Sequence, residues 1–172
     1  VKANKRRQSS RRHESIGDFK VYEGQKHGLI ILAEFSKTTF ATGHDKALYQ
    51  RICNEEGFTS AEGFNDSYYG QNDSDGTDMH AGEMVVEACK EVDGLVDFSK
   101  YDWDGNGYAD QVLVIYAGRG ENDGGGRNTI WPHEWELSES DYGTTLTLDG
   151  IIIDTYAVTS ELSSSGIAGI GT

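Results

Sequence analysis

Three runs of consecutive apolar residues punctuate the chain: Leu29-Ile30-Ile31-Leu32-Ala33-Glu34-Phe35, Val112-Leu113-Val114-Ile115-Tyr116-Ala117 and Ile151-Ile152-Ile153-Asp154-Thr155-Tyr156-Ala157-Val158. Each is short and nearly unbroken by polar residues, the pattern of a strand covered on both faces. Between the first two, Ala81, Met84, Val85, Ala88 and Val92 recur at three- and four-residue spacing. That period predicts an amphipathic helix, with Asp78 to cap its start and Gly94 to end it. A weaker helical pattern runs from about His44 to Glu56, with Leu48 and Ile52 on one face and Gly57 just past the end. Residues Thr129 to Trp135 predict a short strand. Pro132 has no N–H to give a ladder, so this strand belongs at a sheet edge. The stretches Gly63–Asp78 and Gly118–Gly126 predict loops, and Ser163–Thr172 a small-residue, flexible end. The alternation of elements predicts an α/β fold, a mixed twisted sheet with packed helices and no internal repeat.

Charge divides the chain. Six of its 15 Lys+Arg lie within the first twelve residues, no acidic residue occurs before Glu14, and the whole carries a net charge of −14. Residues 1–19 therefore predict a basic linker, whose pairs Arg6-Arg7 and Arg11-Arg12 suit cleavage after a pro-segment. Residues 20–172 predict the folded body. An acidic body repels nucleic acid and attracts cations. No apolar run approaches the 18 residues of a membrane span. With 172 residues, one domain buries roughly 70% of its unfolded surface. Cys53 and Cys89 are the only cysteines and predict buried free thiols rather than a disulfide framework.

The sharpest local motif precedes the second apolar run. Asp102-Trp103-Asp104-Gly105-Asn106-Gly107-Tyr108-Ala109-Asp110 fits D-x-D-x-N-G-x-x-D. Alternate positions of a tight loop turn the oxygens of Asp102, Asp104 and Asn106 toward one centre. Tyr108 would add its carbonyl and Asp110 would close the set, a pattern suited to calcium, which takes six to eight oxygens. Leu113 stands where an EF-hand has its bidentate Glu, so the motif is a calcium-type loop before a strand and not an EF-hand. The competing reading is an acidic turn held by Asx hydrogen bonds. Asp73-Ser74-Asp75-Gly76-Thr77-Asp78 has similar spacing without the longer register. Other motifs fail on their chemistry. His133-Glu134 begins like H-E-x-x-H, yet Leu137 occupies the second His position. The glycines of 118–126 lack the Lys-Ser/Thr of a phosphate loop, and Glu121 and Asp123 would repel phosphate. No G-x-S-x-G elbow is present.

Seven segments in order resemble the immune-inhibitor-A-like metallopeptidases of bacterial secreted proteins: Gly28–Phe35, Met84–Cys89, Val96–Asp102, Asp110–Gly118, Thr129–His133, Ile153–Ala157 and Gly169–Thr172. The resemblance spans roughly Gly28 to Thr172. It implies a zincin-like catalytic domain of a secreted or cell-surface zinc endopeptidase acting on peptides or proteins. It also implies that the helix carrying H-E-x-x-H would follow Thr172, so the zinc ligands and the catalytic base lie outside these residues and the chain by itself is expected to be inactive. In that family a longer stretch, with another strand, stands near Gly63–Tyr69, which here looks shortened. The strand containing Trp131, Pro132 and His133 would border the substrate cleft, where an extended peptide can pair with a free edge.

Two other readings compete. One is a non-catalytic peptide-binding module of the same fold. The other is a calcium-dependent carbohydrate-binding or adhesion domain, suggested by Trp131, Trp135, Tyr68 and Tyr69.

Overall fold

The computed structural model describes residue 26 and residues 28–45, 47–48, 59–63 and 66–167. The basic linker, His13, His27, Cys53, most of the helix expected over His44–Glu56 and the Gly169–Thr172 segment lie outside the described residues. Ala47 and Leu48 are helical, and Asp45 Oδ1 accepts from the Leu48 N–H at 3.0 Å, as an N-cap does.

The core is a six-stranded mixed sheet. Strand β1 (Leu29–Phe35) lies between β2 (Thr59–Gly63) and β3 (Val112–Arg119), parallel to both. The long strand β7 (Thr155–Ser163) runs parallel to β3 on its other side. Strand β4 (His133–Glu136) runs antiparallel along the outer side of β7 and closes the order β2-β1-β3-β7-β4. The two-residue strand β8 (Gly166–Ile167) folds back on the end of β7. A separate hairpin pairs β5 (Leu146–Leu148) with β6 (Ile151–Ile153).

Alternation along β1 explains its unbroken apolar sequence. Leu29, Ile31, Ala33 and Phe35 join the main core, while Ile30 and Leu32 join Leu113 and Ile115 on the opposite face. Each Leu, Ile or Val removed from water contributes roughly 1.5–3 kcal/mol, so both faces hold the central strands in register. The main core is covered by helix α2 (Ala81–Val92), which buries Met84, Val85, Ala88, Cys89 and Val92. A short helix α1 (Asp66–Tyr69) precedes it and sinks Tyr69 into the same core.

Several expectations need correction. Gly63–Asp78 is not all loop: it contains α1, and Asn72 and Asp78 face each other across an isolated antiparallel bridge. The Ile151–Val158 run is two strands, β6 and β7, divided at Asp154. That residue is diverted to Leu137 and Ser138: its carbonyl accepts from Leu137 N–H (2.8 Å) and its carboxylate from Ser138 N–H (2.9 Å). Strand β7 continues to Ser163, into the stretch expected to be flexible. The edge strand begins at His133 rather than Thr129, because Trp131 N–H is spent on a side chain and Pro132 has none.

Asp78 does not cap α2, and His80 at the N-cap position makes no side-chain cap bond. The capping carboxylate is Asp141, whose oxygens accept from Gly82 N–H (2.9 Å) and Glu83 N–H (3.3 Å). Asp141→Ala is expected to cost about 1 kcal/mol, readable as a lowered urea midpoint with an unchanged slope. Gly94 follows the helix without entering left-handed backbone space.

Cys89 is fully buried and free, as its apolar spacing predicts. Burial pushes its thiol up to about 12. Alkylation of Cys89 by iodoacetamide at pH 8, read by peptide mapping, should therefore track unfolding, and rapid labelling of Cys89 in the native protein would contradict this placement.

Candidate functional site

Three features bear on function: the outer edge of β4, the acidic loop before the start of β3, and the loops beside Trp131 toward the other end of that strand.

The acidic loop enters through a 3-10 turn, Phe98–Tyr101, capped by Asp97. Gly105 (φ 73°) and Gly107 (φ 86°) supply the left-handed positions that let the chain reverse. Asp102 accepts from the N–H groups of Asn106 (3.0 Å) and Gly107 (2.9 Å), and Asp104 also from Asn106 (3.0 Å). Asn106 Oδ1 accepts from Tyr108 N–H at 2.8 Å, and Asp110 from Trp103 N–H at 2.6 Å. One carboxylate oxygen from each of Asp102, Asp104 and Asp110 lies within 4.8 Å of the other two. The far side of the loop is stitched to β6: Ile152 donates to Gly107 O (2.8 Å) and accepts from Ala109 N–H (2.9 Å). The structure thus brings Asp102, Asp104 and Asp110 together. It leaves Asn106 and the Tyr108 side chain exposed. The Asx hydrogen bonds also hold the loop's shape.

At the edge, His133 and Trp135 alternate with the exposed Glu134 and Glu136. Both ring nitrogens of His133 are engaged, Nδ1 at 2.6 Å from Trp131 O and Nε2 at 3.1 Å from the Tyr156 hydroxyl. Burial holds this imidazole below its ordinary range. Trp131 is half exposed beside the strand, Pro132 is partly buried, and Trp131 N–H donates to Asp78 Oδ2 at 2.8 Å. Of the four aromatics that suggested a sugar platform, Tyr69 is buried, Tyr68 and Trp135 pack against the core, and Trp131 alone is exposed.

A His/carboxylate group not foreseen from sequence stands at the start of α2. His80, Glu83 and Asp141 each offer a ligand atom within 4.8 Å of the others. His80 Nδ1 lies 3.2 Å from Glu83, and its ring stacks on Tyr68 with centroids 4.2 Å apart. Tyr68 donates its hydroxyl to the same Glu83 oxygen at 2.7 Å. Asp141 is already spent on the backbone N–H groups of the helix, and the positive end of the helix dipole opposes a cation there. The group is a cap with a stacked lid.

Among the described residues the one buried carboxylate is Glu161, which no periodicity announced. It is fully buried and accepts from Ala41 N–H (2.6 Å) and Gly118 N–H (2.9 Å), with His44 Nδ1 at 2.6 Å. Nearby, a cavity of about 330 Å³ opens at the ends of β1 and β3, lined by Phe35, Thr38, Tyr116, Arg119 and Leu162.

The mixed sheet, with an antiparallel edge strand and helices packed on its main core face, is consistent with a peptidase domain. The model of the immune inhibitor A peptidase M6 catalytic domain matches residues 54–167, and the chain belongs to that family. The family is one of metallopeptidases. No curated protein matches the chain. Peptides or proteins are the substrates the family implies. Among the described residues no helix is long and apolar enough to cross a membrane.

The 172 residues contain no H-E-x-x-H. His44 is committed to Glu161, His80 to Glu83 and His133 to Trp131 and Tyr156.

Proposed function

We propose that the chain is the scaffold and substrate-edge portion of a secreted, zinc-dependent endopeptidase with a zincin-like fold. The observation that carries the reading is an antiparallel edge strand, β4, in a chain of the M6 family. An extended peptide can add to such an edge, with main-chain hydrogen bonds giving affinity and flanking side chains giving preference. Trp131, Pro132 and His133 lead into that edge, and Glu134 and Glu136 stand exposed along it. His133, fixed through both nitrogens, positions the strand rather than exchanging protons. Zinc would supply Lewis acidity toward water and the scissile carbonyl.

The acidic loop is proposed to hold structural calcium through Asp102, Asp104, Asn106, the Tyr108 carbonyl and Asp110. Convergence of three carboxylates supports it, since they repel one another without a counter-charge. Asp104→Ala is expected to lower the melting temperature and abolish its dependence on calcium. A wild-type melting curve identical with and without chelator contradicts the assignment.

The test of the whole reading uses the natural gene product. Peptide mapping should continue past Thr172 into H-E-x-x-H, and casein hydrolysis by culture supernatant should stop with 1,10-phenanthroline. A natural C-terminus at Thr172 with peptide binding but no hydrolysis would instead establish the binding-module reading.

A further inference from the structure

We propose that Glu134 and Glu136 make the outer edge of β4 selective for an extended peptide that carries Lys or Arg at every second position. The inference rests on the substrate-edge reading of β4 and names the side chains such a substrate brings. Strand β7 pairs one side of β4, with Glu134 opposite Ala157 and Glu136 opposite Thr155, and no strand pairs the other side among the described residues.

Two properties of these residues coincide. The first belongs to the main chain. Leu137 N–H continues the ladder by donating to Asp154 O at 2.8 Å. Main-chain groups turn to alternate sides along an antiparallel strand, so those of Trp135 and His133 also face β7, and the N–H and C=O of Glu134 and Glu136 face outward. The second belongs to the side chains. Tyr156 and Val158, opposite Trp135 and His133, are in the main core, while Glu134 and Glu136 are exposed on the other face of the strand. A peptide that takes the outward main-chain bonds therefore sets two alternate residues directly opposite the two glutamates, with Cβ atoms about 5 Å apart on a shared face.

Charge decides the occupant. Neither carboxylate has a hydrogen bond or ion pair among the described residues. Opposite charges directly across a ladder favour pairing and like charges oppose it. A second copy of β4, paired antiparallel about Trp135, would set each Glu134 opposite a Glu136, so the edge resists its own kind. A neutral or acidic peptide leaves both charges uncompensated. Lys or Arg at alternate positions neutralises both with no change in backbone register.

The test is fluorescence anisotropy of short labelled peptides with the 172-residue protein. A peptide alternating Thr and Lys should bind about fivefold more tightly than one alternating Thr and Gln. It should also outbind a peptide of equal charge whose lysines are grouped at one end, since the chain's net charge of −14 attracts both alike. Glu134→Gln/Glu136→Gln should abolish these preferences, and Glu134→Lys/Glu136→Lys should turn them toward a peptide alternating Thr and Glu. Glu91→Gln/Asp93→Asn, which removes the same charge from exposed positions at the end of α2, should leave them intact. A preference that survives the edge variants, falls equally in the Glu91/Asp93 variant, or ignores lysine spacing overturns the proposal, as does a wild-type chain that binds none of the peptides. Selective binding beside a natural gene product that hydrolyses nothing contradicts the endopeptidase reading and leaves this one standing. Hydrolysis without selective binding does the reverse.

Discussion

Glu161→Ala is expected to cost about 2–5 kcal/mol of folding stability, because it strands two backbone N–H donors at about 1–3 kcal/mol each. The physical reason lies in a bulge. β3 and β7 pair at Tyr116↔Ser160 and next at Arg119↔Leu162, so β3 carries one extra residue there. A bulge leaves a ladder N–H unpaired. Gly118, at φ 90°, is the residue displaced, and its N–H finds Glu161 Oε2. The other carboxylate oxygen gathers Ala41 N–H and His44, pinning the segment after β1 to β7. Alanine would strand two backbone donors and leave a void. Glu161→Gln keeps an acceptor oxygen and should lose less, as should His44→Ala, which leaves both N–H bonds in place. Urea denaturation reads the series. A Glu161→Ala loss below about 1 kcal/mol would mean the bulge is satisfied otherwise.

Gly70→Ala is expected to cost about 1–3 kcal/mol, the range for overpacking, and to disturb the segment leading into β4. The added methyl would stand 2.4 Å from Thr129 C and 2.6 Å from both Asn128 O and Ile130 N, all backbone atoms that cannot swing aside. The segment 128–131 must retreat, taking with it the Trp131 N–H bond to Asp78. Gly94→Ala is the matched control, because nothing lies within 4 Å of its Cβ position and its φ is ordinary. That change should stay within about 0.5 kcal/mol of wild type or stabilise slightly. Equal effects of the two substitutions would refute the close-approach argument.

What the sequence made legible was whatever repeats locally. The continuous run of β1, the start of β3 and the face of α2 follow from apolar spacing, because each buries side chains against neighbours on both sides or along one stripe. Strand β2, Thr-Ser-Ala-Glu-Gly, went unseen: it is a sheet edge with no apolar period to find. Helix α1, at four residues, is shorter than any helical window. The misplaced cap has a different cause. Asp78 has the right residue type and position, but a donor 53 residues away claims its carboxylate, and Asp141 arrives from 59 residues away to take its place. Of the candidate site, the acidic loop was legible because its residues are consecutive. The surroundings of Glu161 and the His80–Glu83–Asp141 group depend on chain reversals that no local window contains.

The strand order bears on how the protein reaches this state. β1 sits in the middle of the parallel strands, yet its partner on one side, β3, pairs Leu29 with Val112, and the outer strands β7 and β4 come later still. Non-local parallel pairing forms slowly, since loop closure precedes any gain from contact. During synthesis the seven-residue run LIILAEF therefore waits with both of its faces uncovered while most of the sheet's other half is being made. The same apolar continuity that buries β1 on both faces of the finished sheet makes it the segment through which unfinished chains would associate.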